Sequence, residues 1–156
     1  MSFSLYFSNA QCDLALREDA ESQLRAMASY LLWKEKVQAD ELSISLVDRE
    51  KMSQLHQYYF ADPSPTDCIS FPMRIKEQWV PPIVLGEVIV CPAVALSYVQ
   101  EWGGDVYEET FLYIIHGILH LMGYQDGTKA LREEMVRVQK KYLRKLKERQ
   151  FCLKSP

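Results

Sequence analysis

The chain has 156 residues, of which 48% are hydrophobic and 25% charged, and a formal net charge of −3. A chain of this length can bury roughly 70% of the surface it exposes when unfolded, so one domain over residues 1–156 is expected, and the composition excludes a disordered protein. The longest apolar run, around residues 111–122, is short of the roughly 20 residues that cross a bilayer. The opening MSFSLYFSNA lacks the basic and then apolar pattern of a secretory signal, so no membrane partner and a cytoplasmic location are expected.

Phe3, Leu5 and Phe7 alternate with Ser4, Tyr6 and Ser8, which predicts a half-buried strand. From about Leu14 to Trp33 the period changes, and Ala20, Leu24, Met27 and Leu31 share one helical face. ELSISLV at 41–47 alternates again, and Asp48 is placed to cap a helix running to about Tyr58. The two prolines of ADPSPTD at 61–67 stiffen a loop, and CISFP at 68–72 reads as a strand that Pro72 confines to an edge or an end. Residues 74–83 read as a surface excursion. VLGEVIVC at 84–91 is apolar on both faces apart from Glu87, the pattern of a central strand. Pro92 suits the first turn of a helix that ends at Gly103-Gly104. Asp105 caps the next, which runs to Met122 and stops at Gly123. Thr128 starts the last helix, with Leu131, Met135, Val138 and Tyr142 on its buried face. This order predicts an α+β fold in which a small mixed sheet of about four strands packs against helices, one of them central.

Charge is unevenly spread. Residues 132–156 hold nine Lys or Arg against three Asp or Glu, so the first 131 residues carry −9. Arg137, Lys140, Lys141, Arg144, Lys145 and Lys147 can serve as a solvated helix face or as contacts to phosphates. Tyr58, Tyr59 and Phe60 can be a stacking platform for unpaired bases or part of the core. The four cysteines lie far apart with no C-x-x-C pair, so reduced structural thiols are expected.

The segment FLYIIHGILHLM at 111–122 is apolar all round except at His116 and His120. A spacing of four puts both imidazoles on one side of a helix, one turn apart, where they can grip one ion. Gly123 allows a sharp reversal, and Asp126 follows three residues later, placed to return to the same point. Two imidazoles, a carboxylate and a fourth position for water make a sensible catalytic zinc site. The spacing is that of metzincin zinc proteases, yet the general-base glutamate those enzymes need after the first histidine is Gly117 here, which disfavours peptide hydrolysis.

Three stretches, HGILHLMGYQD at 116–126, PTDCISFP at 65–72 and LGEVIVC at 85–91, together resemble the YbeY-type endoribonuclease family of bacterial rRNA maturation factors. The resemblance runs from about residue 5 to 147. It implies a metal-dependent endoribonuclease acting on single-stranded RNA in 16S rRNA 3′-end maturation and ribosome quality control, with the small ribosomal subunit as partner and no DNA substrate. By position it implies His116, His120 and Asp126 as ligands of one divalent ion, zinc foremost, with Thr66, Asp67 and Ser70 beside the cleft.

Glu87 stands where the family usually has aspartate, either as a proton acceptor in the cleft or as a carboxylate tied to nearby backbone amides. Two positions depart from the family pattern. Asp126 replaces a third histidine and lowers the charge of the centre by one, and Phe60 stands where members usually have an arginine, for which Arg74 or Lys76 are candidate substitutes. Both departures leave room for an alternative function, a ribosome-assembly or RNA-binding factor with weak or no nuclease activity.

Overall fold

Leu42, Ile44 and Leu46 point to one side of their strand and Ser43 and Ser45 to the other, and this parity decides how the protein is layered. The structure is a computed structural model that describes residues 3–74 and 80–156. Among them the elements run β1 (Ser4–Ala10), α1 (Ala20–Glu35), β2 (Glu41–Val47), α2 (Arg49–Phe60), β3 (Cys68–Pro72), β4 (Val84–Val90), α3 (Pro92–Trp102), α4 (Val106–Leu121) and α5 (Lys129–Glu148). The sheet order is β1-β2-β4-β3. β1 and β2 are parallel, as are β2 and β4, while β3 runs antiparallel to β4 on the edge, where Pro72 costs no interior hydrogen bond.

One sheet face carries the main core. Leu42, Ile44 and Leu46 of β2 and Val88 and Val90 of β4 join Leu24, Met27 and Leu31 of α1, Ile114, Ile115 and Ile118 of α4, and Met135, Val138 and Tyr142 of α5. Each fully buried isoleucine of α4 contributes about 1.5–3 kcal/mol by leaving water. The opposite face carries a smaller cluster, in which Met52 of α2 meets Val47, Ile69 and Ile89. The α+β class and the central helix are therefore as the sequence predicts.

The three expected caps form. Asp48 accepts from the Lys51 amide at 2.7 Å, Asp105 from the Tyr107 amide at 2.7 Å, and Thr128 from the Leu131 amide at 3.2 Å. Two features differ from expectation. The first helix begins at Ala20 and not near Leu14, because the Gln11 side chain takes both backbone groups of Leu14, donating to its carbonyl at 2.9 Å and accepting from its amide at 2.8 Å. Leu14 is thus buried without being helical. On α5, Leu131 is only half-buried, since it packs beside the open turn at Met122 and Tyr124; Leu146 further along is fully buried. Cys68 is half-buried and Cys91 buried, but Cys12 and Cys152 are exposed, so the expected structural role fits only the first two.

Candidate metal centre

α4 lies so close to the sheet at Gly117 that a Cβ there would come 2.5 Å from Val88 Cγ1 and 2.9 Å from Cys68 Sγ. Ser70 on β3 donates its hydroxyl to the Gly117 carbonyl at 3.2 Å, which ties the edge strand to the same turn. The glycine between the histidines is thus required by packing. It seats the helix so that His116 and His120, both half-buried, line one cleft together with Cys68, Ser70 and Pro72 of β3. Burial pushes the Cys68 thiol up to about 12, so it is a neutral packing group beside the site.

The two imidazoles stand at 83° to each other, with their Nε2 atoms 3.0 Å apart. Each ring is held from behind. His120 Nδ1 lies 3.0 Å from the Tyr124 carbonyl oxygen, and His116 Nδ1 lies 2.7 Å from Gln139 Oε1 on α5. Opposite these acceptors a neutral imidazole keeps its proton on Nδ1, an arrangement that presents the Nε2 lone pair of each ring toward a common point. After α4, Gly123 takes φ of +108°, the Tyr124 amide donates back to the Leu119 carbonyl at 3.1 Å, and the chain reverses. Asp126 Oδ2 thereby arrives 3.3 Å from His120 Nε2 and 3.9 Å from His116 Nε2.

Two lone pairs and a carboxylate oxygen within this distance repel one another unless a proton or a metal ion is shared among them. Metal–ligand bonds of about 2.1 Å at tetrahedral angles place neighbouring donors about 3.4 Å apart. The observed 3.0, 3.3 and 3.9 Å bracket that value. His116, His120 and Asp126 could therefore hold one metal ion, and a three-ligand set leaves a position open for water or substrate.

The triad opens onto a cleft of about 720 Å³. Thr66, Asp67 and Ser70 line it, so the structure brings these expected residues together with the triad. The Asp67 backbone is fixed where its carbonyl accepts from the Cys91 amide at 3.0 Å. Phe60 forms part of the wall, and so does His56 one helical turn before it, a residue the sequence reading missed. The His56 ring is pinned by the Ser64 carbonyl, 2.7 Å from its Nδ1, and lies 5.5 Å from the Phe60 ring. Tyr58 and Tyr59 are exposed and outside this wall, and Tyr59 packs on Phe71 with ring centroids 4.7 Å apart.

A smaller cavity of about 280 Å³ adjoins the site, sharing His116, Asp126 and Asp67 with the cleft and adding Glu109, Tyr113, Gln139 and Arg132. Burial pushes the Glu109 carboxyl above its usual range, with the Asp67 charge adding to the effect and a Tyr113 hydrogen bond opposing it. Burial raises the Tyr113 hydroxyl too, and the Glu109 and Asp67 charges add to that shift.

Glu87 is not brought to the cleft. A Cβ at Gly86 would meet Leu121 of α4, and Val88 faces Gly117, so strand alternation turns Glu87 to the opposite face of the sheet, across from Ser43 and Phe71. Arg74 is exposed and does not line the cleft, and Lys76 lies outside the described residues.

The family model described as Endoribonuclease YbeY matches residues 6–147. A relative named Endoribonuclease YbeY from Protochlamydia amoebophila is 45% identical over 119 residues, covering 76% of this chain and 77% of its own. One of the same name from Chlamydia abortus is 34% identical over 149 residues, covering 94% and 92%. The solution structure of TM1509 from Thermotoga maritima superposes with a TM-score of 0.63 at 25% identity, covering 92% of this chain and 89% of that one.

Proposed function

The chain belongs to the Endoribonuclease YbeY family, and from that premise we propose that it is a single-domain, metal-dependent endoribonuclease that cuts single-stranded RNA at the centre formed by His116, His120 and Asp126. The observation that carries this reading is the convergence of both Nε2 atoms and one carboxylate oxygen at the floor of an open cleft. Zinc suits two imidazoles and a carboxylate. Such an ion, when bound, supplies Lewis acidity toward a phosphate oxygen and makes a bound water more acidic.

The residues of the chain do the rest. Gln139 and Tyr124 hold the two rings in the tautomer that presents Nε2. Asp126 adds a negative charge, so the centre is less electrophilic than one with three neutral ligands. Asp67 borders both cavities and takes the role of proton acceptor that Glu87, on the far face, does not fill. Phe60 and His56 offer a partly aromatic wall on which an unpaired base can stack.

The substrate in this reading is the 16S rRNA precursor near its 3′ end, and the setting is ribosome maturation and quality control on the small ribosomal subunit in the cytoplasm. The resemblance of the three motifs supports this. No described helix is long and apolar enough to cross a membrane.

The test uses purified protein, a labelled single-stranded RNA and metal analysis. About one ion per chain and cleavage that disappears in His120→Ala are expected; equal residual cleavage by both proteins would overturn the nuclease reading. A second reading, an RNA-binding assembly factor with weak cleavage, is favoured by the uncharged Phe60 on the cleft wall. Tight RNA binding with the metal in place and no cleavage would establish it.

A further inference from the structure

Among the described residues that line the cleft and the adjoining cavity there is one lysine or arginine, Arg132 in the first turn of α5. We propose that Arg132 binds an RNA phosphate next to the metal centre and is the cationic side chain that the rest of the lining lacks. This rests on the nuclease reading above and names the residue that engages its substrate.

The observations are independent of the metal. Arg132 Nη1 donates to the main-chain oxygen of Asp126 at 3.3 Å, which puts the guanidinium beside the ligand residue itself. The same contact uses one donor of a planar fork and leaves others for oxygens of a phosphate. Outside the metal ligands the walls carry two carboxyl groups, Asp67 and Glu109, around the two cavities. An RNA backbone entering such a site is repelled unless fixed cations offset those carboxylates, and the charge that builds on a phosphate during cleavage makes the need greater. Other cations of α5 are engaged elsewhere: Lys147 with Glu108, Lys145 with Glu148 and Lys129 with Glu133. Arg132 has no carboxylate partner among the ion pairs of the described residues, and its position is set by the Thr128 cap at the start of the same helix.

The contact to Asp126 could also be only a clasp on the turn, and the experiment separates the two roles. Arg132→Gln, Arg132→Lys and, as a control of equal charge change on an exposed face of α1, Arg25→Gln are compared with wild type in the full chain. Binding of a fluorescent single-stranded 2′-O-methyl oligonucleotide is followed by anisotropy across a salt series, with the probe checked for integrity and each protein assayed for metal. Arg132→Gln should bind about tenfold more weakly or worse, the order expected when one charge-assisted hydrogen bond is lost. Its log–log salt slope should be shallower by about 0.7, one phosphate contact on a single strand. Metal content should stay at the wild-type level and Arg25→Gln should match wild type. Arg132→Lys should recover the slope, with a lower cleavage rate because an ammonium cannot form the fork. Wild-type affinity and slope in Arg132→Gln would overturn the proposal, as would loss of binding together with loss of metal. A wild type that binds but never cleaves would sink the nuclease reading alone, since the affinity comparison still decides Arg132.

Discussion

The amide oxygen of Gln139 lies 2.7 Å from Nδ1 of His116, joining the middle of α5 to the ligand helix across the interface. A ligating imidazole is only as well oriented as the group behind it. Gln139→Leu keeps the size of the side chain and removes the acceptor, so metal affinity should fall about 10–100-fold with the fold intact. Chelator competition measures it, and unchanged affinity would show that the ring is oriented by packing alone.

His116→Ala with His120→Ala should take the bound ion from about one per chain to none, because one carboxylate cannot hold a divalent ion against water. Metal analysis after extensive dialysis reads this directly. Retention of the ion in the double variant would place the site elsewhere.

The close approach at Gly117 makes a sharp prediction. Gly117→Ala forces the new methyl into Val88, 2.5 Å away, and should destabilise the protein by about 1–3 kcal/mol. A second change, Val88→Ala, opens space at that contact, so the double variant should lose less than the two single costs added together. Additive losses in denaturant unfolding would show that the helix shifts freely.

Glu109 gives a pH signature. Its folded-state pKa is raised above the ordinary 4.5 by burial and Asp67, so the native state holds its proton more tightly than the unfolded chain does. Its contribution is therefore fully present below pH 4.5 and is lost as pH rises through the folded value. Glu109→Gln keeps an acceptor for Tyr113 and removes the charge. The variant should be the more stable at neutral pH, and the difference should vanish in acid. Melting temperatures of both proteins from acid to neutral pH check it; a constant offset would contradict the assignment.

The signals legible in the sequence were those carried by local geometry. Three helix caps, the paired histidines and the glycine reversal before Asp126 each need only a few neighbouring residues, and the structure places them as read. Glu87 shows where that reasoning ends. VLGEVIV is apolar on both sides, so its alternation separates two faces without telling which one looks toward the histidines. The approach of α4 at Gly117 settles it, and that contact is made across the fold. Gln139 and Arg132 were invisible for a related reason. On a helix as polar as α5, one amide or one guanidinium turned toward a neighbour leaves no mark on the pattern. The start of α1 was misplaced because a single side chain, Gln11, outcompetes the helix for Leu14.

Asp126 sits on a short exposed bend between two helices, whereas both histidines are built into a rigid rod seated on the sheet. A cation shared by all three would act as a rivet between the rod and that bend. Stripping it with a chelator should leave the body standing and release one corner, where limited proteolysis would first cut.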